Sequence, residues 1–326
     1  MFRKQALSNI AIASLTLLLA ACGGSAIVTT PLAPPTTSLA LSGLVASPGT
    51  IGLAQLNALT QQSVTTNPQS GVGTLGQHTY SGPLLYDVLE SVTPNVNSAI
   101  KNDLLRRGIV VTGSNGYQAA VAWGEIDPKF AGKKIIVATS VDGAPLTTDG
   151  FARLIVPSDV SAGRYVPNIS GIKLEDSIAP PPATTFVQTT SFQLTGLVNT
   201  TGTYDIAKLN SLPQSQVSIT SGTTTTVYGG VLMTDLLNSA VLTLNPAIKN
   251  DQLTKSIIAI GSDGYTSIVT AAEVDPNFGN IKVLVATSAN GAPLGATQGF
   301  ARIVVPGDAA AGRFVSGLTT ITIGQL

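Results

Sequence analysis

Residues 108–146, GIVVTGSNGYQAAVAWGEIDPKFAGKKIIVATSVDGAPL, align without a gap on residues 256–294, SIIAIGSDGYTSIVTAAEVDPNFGNIKVLVATSANGAPL, with 19 identities in 39 positions. A spacing of 148 residues between the stretches means duplication of a whole domain, since solenoid repeats recur every ~20–50 residues. The register continues outward, with Lys101-Asn102-Asp103 answering to Lys249-Asn250-Asp251. Beyond one inserted residue, Gly150-Phe151-Ala152-Arg153 answers to Gly299-Phe300-Ala301-Arg302.

The duplicated stretch reads as strand, turn, strand, helical turn, strand, turn, strand. Asn115-Gly116, Asp142-Gly143, Asp263-Gly264 and Asn290-Gly291 stand between apolar runs, and these dipeptides tolerate the positive φ of tight hairpin turns. Upstream, Leu39 to Val45 and Phe192 to Val198 read as strands. Leu53, Leu56 and Leu59, like Ile206, Leu209 and Leu212, recur at helical spacing. Segments 61–80 and 214–228 read as strand and loop. Ser81 to Leu89 reads as a helix with Pro83 at its first position, where the missing N–H is unneeded. The expected class is α+β: two tandem, β-rich domains with short helices, at 38–176 and 191–326, joined by a proline-rich linker at 177–190.

The 326 residues are 44% apolar and 10% charged, with 17 basic and 17 acidic side chains. No local basic excess exists to release phosphate counterions, which excludes nucleic acid. At the N-terminus, Arg3-Lys4, an apolar run from Ile10 to Leu19, and Leu19-Ala20-Ala21-Cys22 resemble a bacterial lipoprotein signal peptide at 1–21. The resemblance implies cleavage before Cys22 and its lipidation by diacylglycerol and an amide-linked acyl chain such as palmitate. A tether at 22–37 would then lead to a protein held in the cell envelope. Gly23 in place of Asp leans toward the outer membrane or periplasmic face. Cys22 is the only cysteine and His78 the only histidine, so the folded domains hold no disulfide, thiolate metal site or repeated Ser-His-Asp triad. His78 reads as a solvent-facing loop residue, because the second copy has no counterpart.

Taken in order, the Leu-x-x-Leu helix, Gly-x-x-Leu/Met-x-x-Val/Leu-Leu, Gly-Ser-Asp-Gly-Tyr, Glu-Val-Asp-Pro, Asn-Gly-x-Pro-Leu and Gly-x-x-Arg-x-x-x-Pro-x-Asp-x-x-x-Gly-Arg resemble the molybdopterin-binding domain of the sulfite-oxidase-like oxidoreductases. The resemblance spans nearly all of both copies and implies a pterin-site fold in each. It also implies molybdenum held by a cysteine thiolate, which neither copy can supply. No other side chain here is an equivalent soft donor. The expectation is therefore a protein without catalytic residues, resident metal or cofactor. It would bind a small ligand or protein partner, or act as scaffold, with its copies free to pack as an internal pseudo-dimer. The alternative is a periplasmic molybdopterin-type oxidoreductase that retains a pterin or other cofactor without a cysteine ligand.

Arg153, Arg164, Arg302 and Arg313 match basic positions of that family. Guanidiniums clamp carboxylates or phosphates bidentately, so they are candidate anion-binding residues, with pairing to Glu125, Glu273, Asp159 and Asp308 as the competing reading. Tyr117 and Tyr265 are candidates to stack on a planar ligand, against packing beside their turns. Glu125 with Asp127, and Glu273 with Asp275, read as turn and capping carboxylates rather than an acid/base pair.

Overall fold

Strand Ser38–Gly43 alternates buried leucines with exposed residues and hairpins onto Gly49–Gly52. It then lies parallel to Ile169–Asp176, so the beginning and end of the first half share one sheet. Arg107–Gly113 and Gln118–Ala122 complete that sheet, in the order 49–52, 38–43, 169–176, 107–113, 118–122. The second half repeats the order with Gly202–Asp205, Ser191–Gly196, Leu318–Gln325, Lys255–Gly261 and Thr266–Thr270. A further sheet in each half carries the strand pair that leads into its second helix, Leu85–Glu90 or Met233–Ala240. In the first half this is Gln61–Thr66 on His78–Pro83, and in the second Gln214–Ser221 on Thr224–Leu232. The computed structural model describes residues 34–70, 73–148, 150–179, 181–182 and 184–326. Signal peptide, Cys22 and most of the tether lie outside the described residues.

The fold is mixed and β-rich, as expected from the turn dipeptides. Its helices are short because each has only one apolar edge to lay on a sheet. Leu53–Ala58 buries Leu56, Leu85–Glu90 buries Leu85, Val88 and Leu89, and Met233–Ala240 buries Met233, Leu236, Leu237 and Ala240. Pro83 differs from its expected place. It is the last residue of strand His78–Pro83, opposite Gln61, and Leu84 precedes the helix. The four turn dipeptides also divide into two kinds. Asp142 and Gly143 (φ 50° and 81°), like Asn290 and Gly291 (50° and 78°), both take positive φ. Gly116 and Gly264 take it alone, in loops closed by Gly113 N–H donating to Tyr117 O and Gly261 N–H to Tyr265 O, each 2.9 Å.

Apolar side chains form two large cores, one around Leu39, Leu56, Leu85, Ile109 and Trp123, the other around Phe192, Leu194, Leu209, Leu236 and Val285. The described residues nevertheless form one compact unit. At the junction the halves exchange reciprocal contacts. A Cβ on Gly163 would fall 2.3 Å from Cε1 of Phe278, and one on Gly312 would fall 2.1 Å from Cε1 of Phe130. Backbone bonds cross in both directions, from Val160 N–H to Phe278 O at 3.0 Å and from Ala309 N–H to Phe130 O at 2.9 Å. The linker lies on the second half, with Thr184 N–H on Asp263 O and Val187 N–H on Ser262 Oγ, each 3.0 Å.

Candidate functional site

Arg164 and Arg313 each end a 3₁₀ turn, Ala162–Arg164 and Ala311–Arg313, and the Arg313 side chain also packs on the first half, where a Cβ on Gly124 would fall 2.4 Å from its Cδ. Arg164 donates through Nε and Nη2 to Asp159 at 2.7 and 2.6 Å, and through Nη1 and Nη2 to Glu125 at 2.9 Å each. Arg313 repeats this with Asp308 at 2.8 and 2.6 Å, and with Glu273 at 2.6 Å. Both side chains are fully buried. Four of the five N–H donors of Arg164 are thus held by carboxylates of the fold, the internal pairing that stood as the competing reading.

The two networks differ in one cation. Lys133 Nζ adds a third contact to Glu125 at 2.9 Å, and its counterpart in the second half is Ile281. Burial pushes the Glu125 carboxyl up, but Arg164 and Lys133 outweigh it and hold it at about 2. Burial also pushes Glu273 up, the Glu125 charge adds to this, and Arg313 with a smaller contribution from Lys133 offsets it incompletely, so Glu273 stays above the ordinary carboxylate value.

Tyr117 and Tyr265 stitch the halves together through their hydroxyls, and each also lines an open pocket, of about 550 and 710 Å³ respectively. Tyr117 Oη donates to Gly163 O at 2.5 Å and accepts from Asn250 Nδ2 of the other half at 2.9 Å. Tyr265 Oη makes the mirror set, with Gly312 O at 2.5 Å and Asn102 Nδ2 at 2.9 Å. Asn102 and Asn250 are residues that the sequence reading missed. Both sit at left-handed φ ahead of a 3₁₀ turn, and the repeated Lys-Asn-Asp was the available signal.

Arg153 and Arg302 are half-buried over aromatic faces. Arg153 lies 6.0 Å from the Tyr80 centroid, and Arg302 lies 5.7 and 5.4 Å from Tyr228 and Phe314. Burial lowers the Arg302 pKa from its ordinary value. Arg164 and Arg313 are thus held by carboxylates of the fold, whereas Arg153 and Arg302 lie over aromatic rings. His78 opens strand His78–Pro83 opposite Thr66 rather than lying in a loop, and its Nδ1 meets Asp142 Oδ2 at 2.6 Å, while Trp123 Nε1 donates to Asp127 at 3.0 Å inside the core.

An open groove of about 830 Å³ lies in the second half, against helix Ile206–Asn210 and strands Gln214–Ser221, Thr224–Leu232 and Leu284–Ala289. That volume falls within the ~300–1,000 Å³ of small-molecule sites. Its floor is Gly229 and Gly230; Asn210, Gln216, Thr287 and Ser288 supply amides and hydroxyls, and Leu294 and Phe300 supply apolar surface. Among the described residues lining it, none is charged. The first half closes the corresponding place. Ser81 stands where the second half has Gly229 and bonds Ser63 Oγ at 2.8 Å, while Thr139 Oγ1 reaches across to Asn57 Oδ1 at 3.1 Å. Thr139 is consequently buried, whereas its counterpart Thr287 is half-exposed. Among the described residues no such bridge joins Asn210 and Thr287.

Residues 178–325 match the family model of the oxidoreductase molybdopterin binding domain. The match takes in the second half and its groove. Among solved structures, the chain is similar to the sulfane dehydrogenase SoxCD from Paracoccus pantotrophus at 10% sequence identity and a TM-score of 0.36. That similarity covers 77% of this chain and 61% of the SoxCD chain, so this chain spans less than two thirds of its length. No curated protein matches the sequence. No helix of the described residues is long and apolar enough to cross a membrane.

Proposed function

We propose that this chain is a lipid-anchored binding protein of the bacterial cell envelope, built from two molybdopterin-domain-like copies, with its ligand in the groove of the second half. The observation that carries this reading is the chemistry of the groove lining. An anionic pterin phosphate needs cations, and molybdenum needs a soft thiolate. The lining carries no charge, the only cysteine is Cys22, and Arg313 is engaged by Asp308 and Glu273. The groove lining therefore does not fit a molybdenum–pterin group. Neutral amides, hydroxyls and one aromatic ring can still hold a neutral small ligand. Cys22 would tie the protein to the membrane through its acyl chains, which as a pair or more anchor stably where one binds marginally.

The test is purification of the full chain from its native membranes, followed by three readouts. Mass spectrometry of the N-terminal peptide should find acylated Cys22. Metal analysis and pterin fluorescence should find neither molybdenum nor pterin. One molybdenum or one pterin per chain would replace this reading with the oxidoreductase.

A further inference from the structure

We infer that the groove of the second half binds a neutral saccharide; this rests on the binding-protein reading above and names its ligand class. The floor strand Thr224–Leu232 is hydrogen-bonded on both sides, to Gln214–Ser221 and to Leu284–Ala289. Its backbone donors and acceptors are thus largely spent in ladders, and the free edge of the sheet lies one strand away, on Gln214–Ser221. Recognition falls to side chains. Those that project are the carboxamides of Asn210 and Gln216, together with the hydroxyls of Thr287 and Ser288. Each carboxamide offers donor and acceptor on one plane, Thr287 Oγ1 offers both from one atom, and Ser288 Oγ, which donates to Gly229 O at 3.3 Å, offers an acceptor. That set matches the vicinal hydroxyls of a sugar, which donate and accept at neighbouring atoms.

The remaining lining matches the other side of a pyranose. Phe300 is half-buried and braced against Phe192 at 6.2 Å between centroids, so its ring is held as a fixed apolar surface beside Leu294. Gly229 lets a ligand lie directly on the sheet, whereas Gly230, like Gly82 of the first half, is required by the close approach of the neighbouring strand, with Val285 O 2.1 Å from where its Cβ would stand. A Cβ at Gly229 would come 2.6 Å from Ser288 Oγ, and the first half has that Cβ, as Ser81. The absence of charge argues against nucleotides, carboxylates and sulfur oxyanions, each of which calls for a cation or a dense nest of N–H donors.

The decisive experiment titrates the folded chain with maltotriose, cellotriose and chitotriose by calorimetry and saturation-transfer NMR. Saturable binding of at least one is expected, weakened at least tenfold by Asn210→Ala and by Gly229→Ser, which installs the residue of the first half. Gly229→Ser is accompanied by a thermal melt, and Asn210→Ala, at an exposed position, keeps the test valid if Gly229→Ser unfolds. Binding of none of the three, or binding that ignores Asn210→Ala, overturns the saccharide assignment. A neutral tripeptide and a free pterin are run beside them. If one of these binds and loses affinity in Asn210→Ala, the saccharide class falls and the groove stands as a binding site. If the variant changes nothing for any probe, the saccharide class and the groove fall together.

Discussion

Glu125 and Glu273 occupy the same place in the two halves, and each is fully buried against an arginine and near an aspartate. In the first half two cations, Arg164 and Lys133, meet two carboxylates; in the second, Arg313 alone meets two. The grooves diverge in the same direction. The first half bridges its groove with Ser63–Ser81 and Asn57–Thr139, and the second leaves the place open. One copy is thus closed and charge-balanced while the other is open and carries an uncompensated carboxylate. Duplication supplies the reason that such divergence is tolerated: a half held in place by its twin is free to give up local satisfaction.

Removing the arginines should have the largest effect. Arg164→Met and Arg313→Met each strand buried carboxylates, and loss of about 3–5 kcal/mol is expected from urea denaturation. Arg313→Met should be the worse of the two, because Lys133 still neutralises Glu125 in the first. Equal losses would erase the comparison.

Lys133→Ile converts the first network to the form of the second. It should cost about 1–3 kcal/mol and move the titration of Glu125 upward, read as the pH dependence of the urea midpoint.

The wild-type pH dependences should have opposite signs. Glu125 is held at about 2, below its ordinary 4.5, so its contribution is present above 4.5 and lost as pH falls toward about 2. Glu273 is raised above 4.5, so its contribution is full below 4.5 and is lost as pH rises through the higher folded value. Glu125→Gln should therefore destabilise at pH 7, whereas Glu273→Gln should be far milder there and flatten the fall in stability with rising pH. Matching profiles for the two variants would contradict the assigned networks.

The smallest effect is expected at the junction. Tyr117→Phe and Tyr265→Phe each remove a hydroxyl that serves two partners, at a cost of about 1 kcal/mol apiece. Their combined loss should be measured in a double-mutant cycle.

Much of this organisation was legible in the sequence. The gapless repeat gave the corresponding strands, and Asn-Gly and Asp-Gly located the hairpins, because positive φ restricts which residues can stand there. Pro83 misled because the motif that opens a helix equally ends a strand, and six helical residues are too few for periodicity to decide. The arginines were ambiguous for a different reason. Residue type establishes that Arg164 wants carboxylates, not whether Asp159 or a ligand provides them. The spacing Asp159–Arg164, repeated at Asp308–Arg313, was the cue for internal pairing. The groove was invisible, because its signal is one small residue, Gly229 against Ser81, whose meaning depends on Ser63 and Asn57 lying across from it.

The most direct test of divergence between the halves is amide hydrogen exchange on the full chain, with and without a saturating neutral oligosaccharide. Ligand-dependent protection is expected at 214–216, 228–230 and 286–288, with no change at the corresponding 61–63, 80–82 and 138–140. Equal protection in both halves, or protection confined to the first, would contradict the assignment of one closed and one open copy.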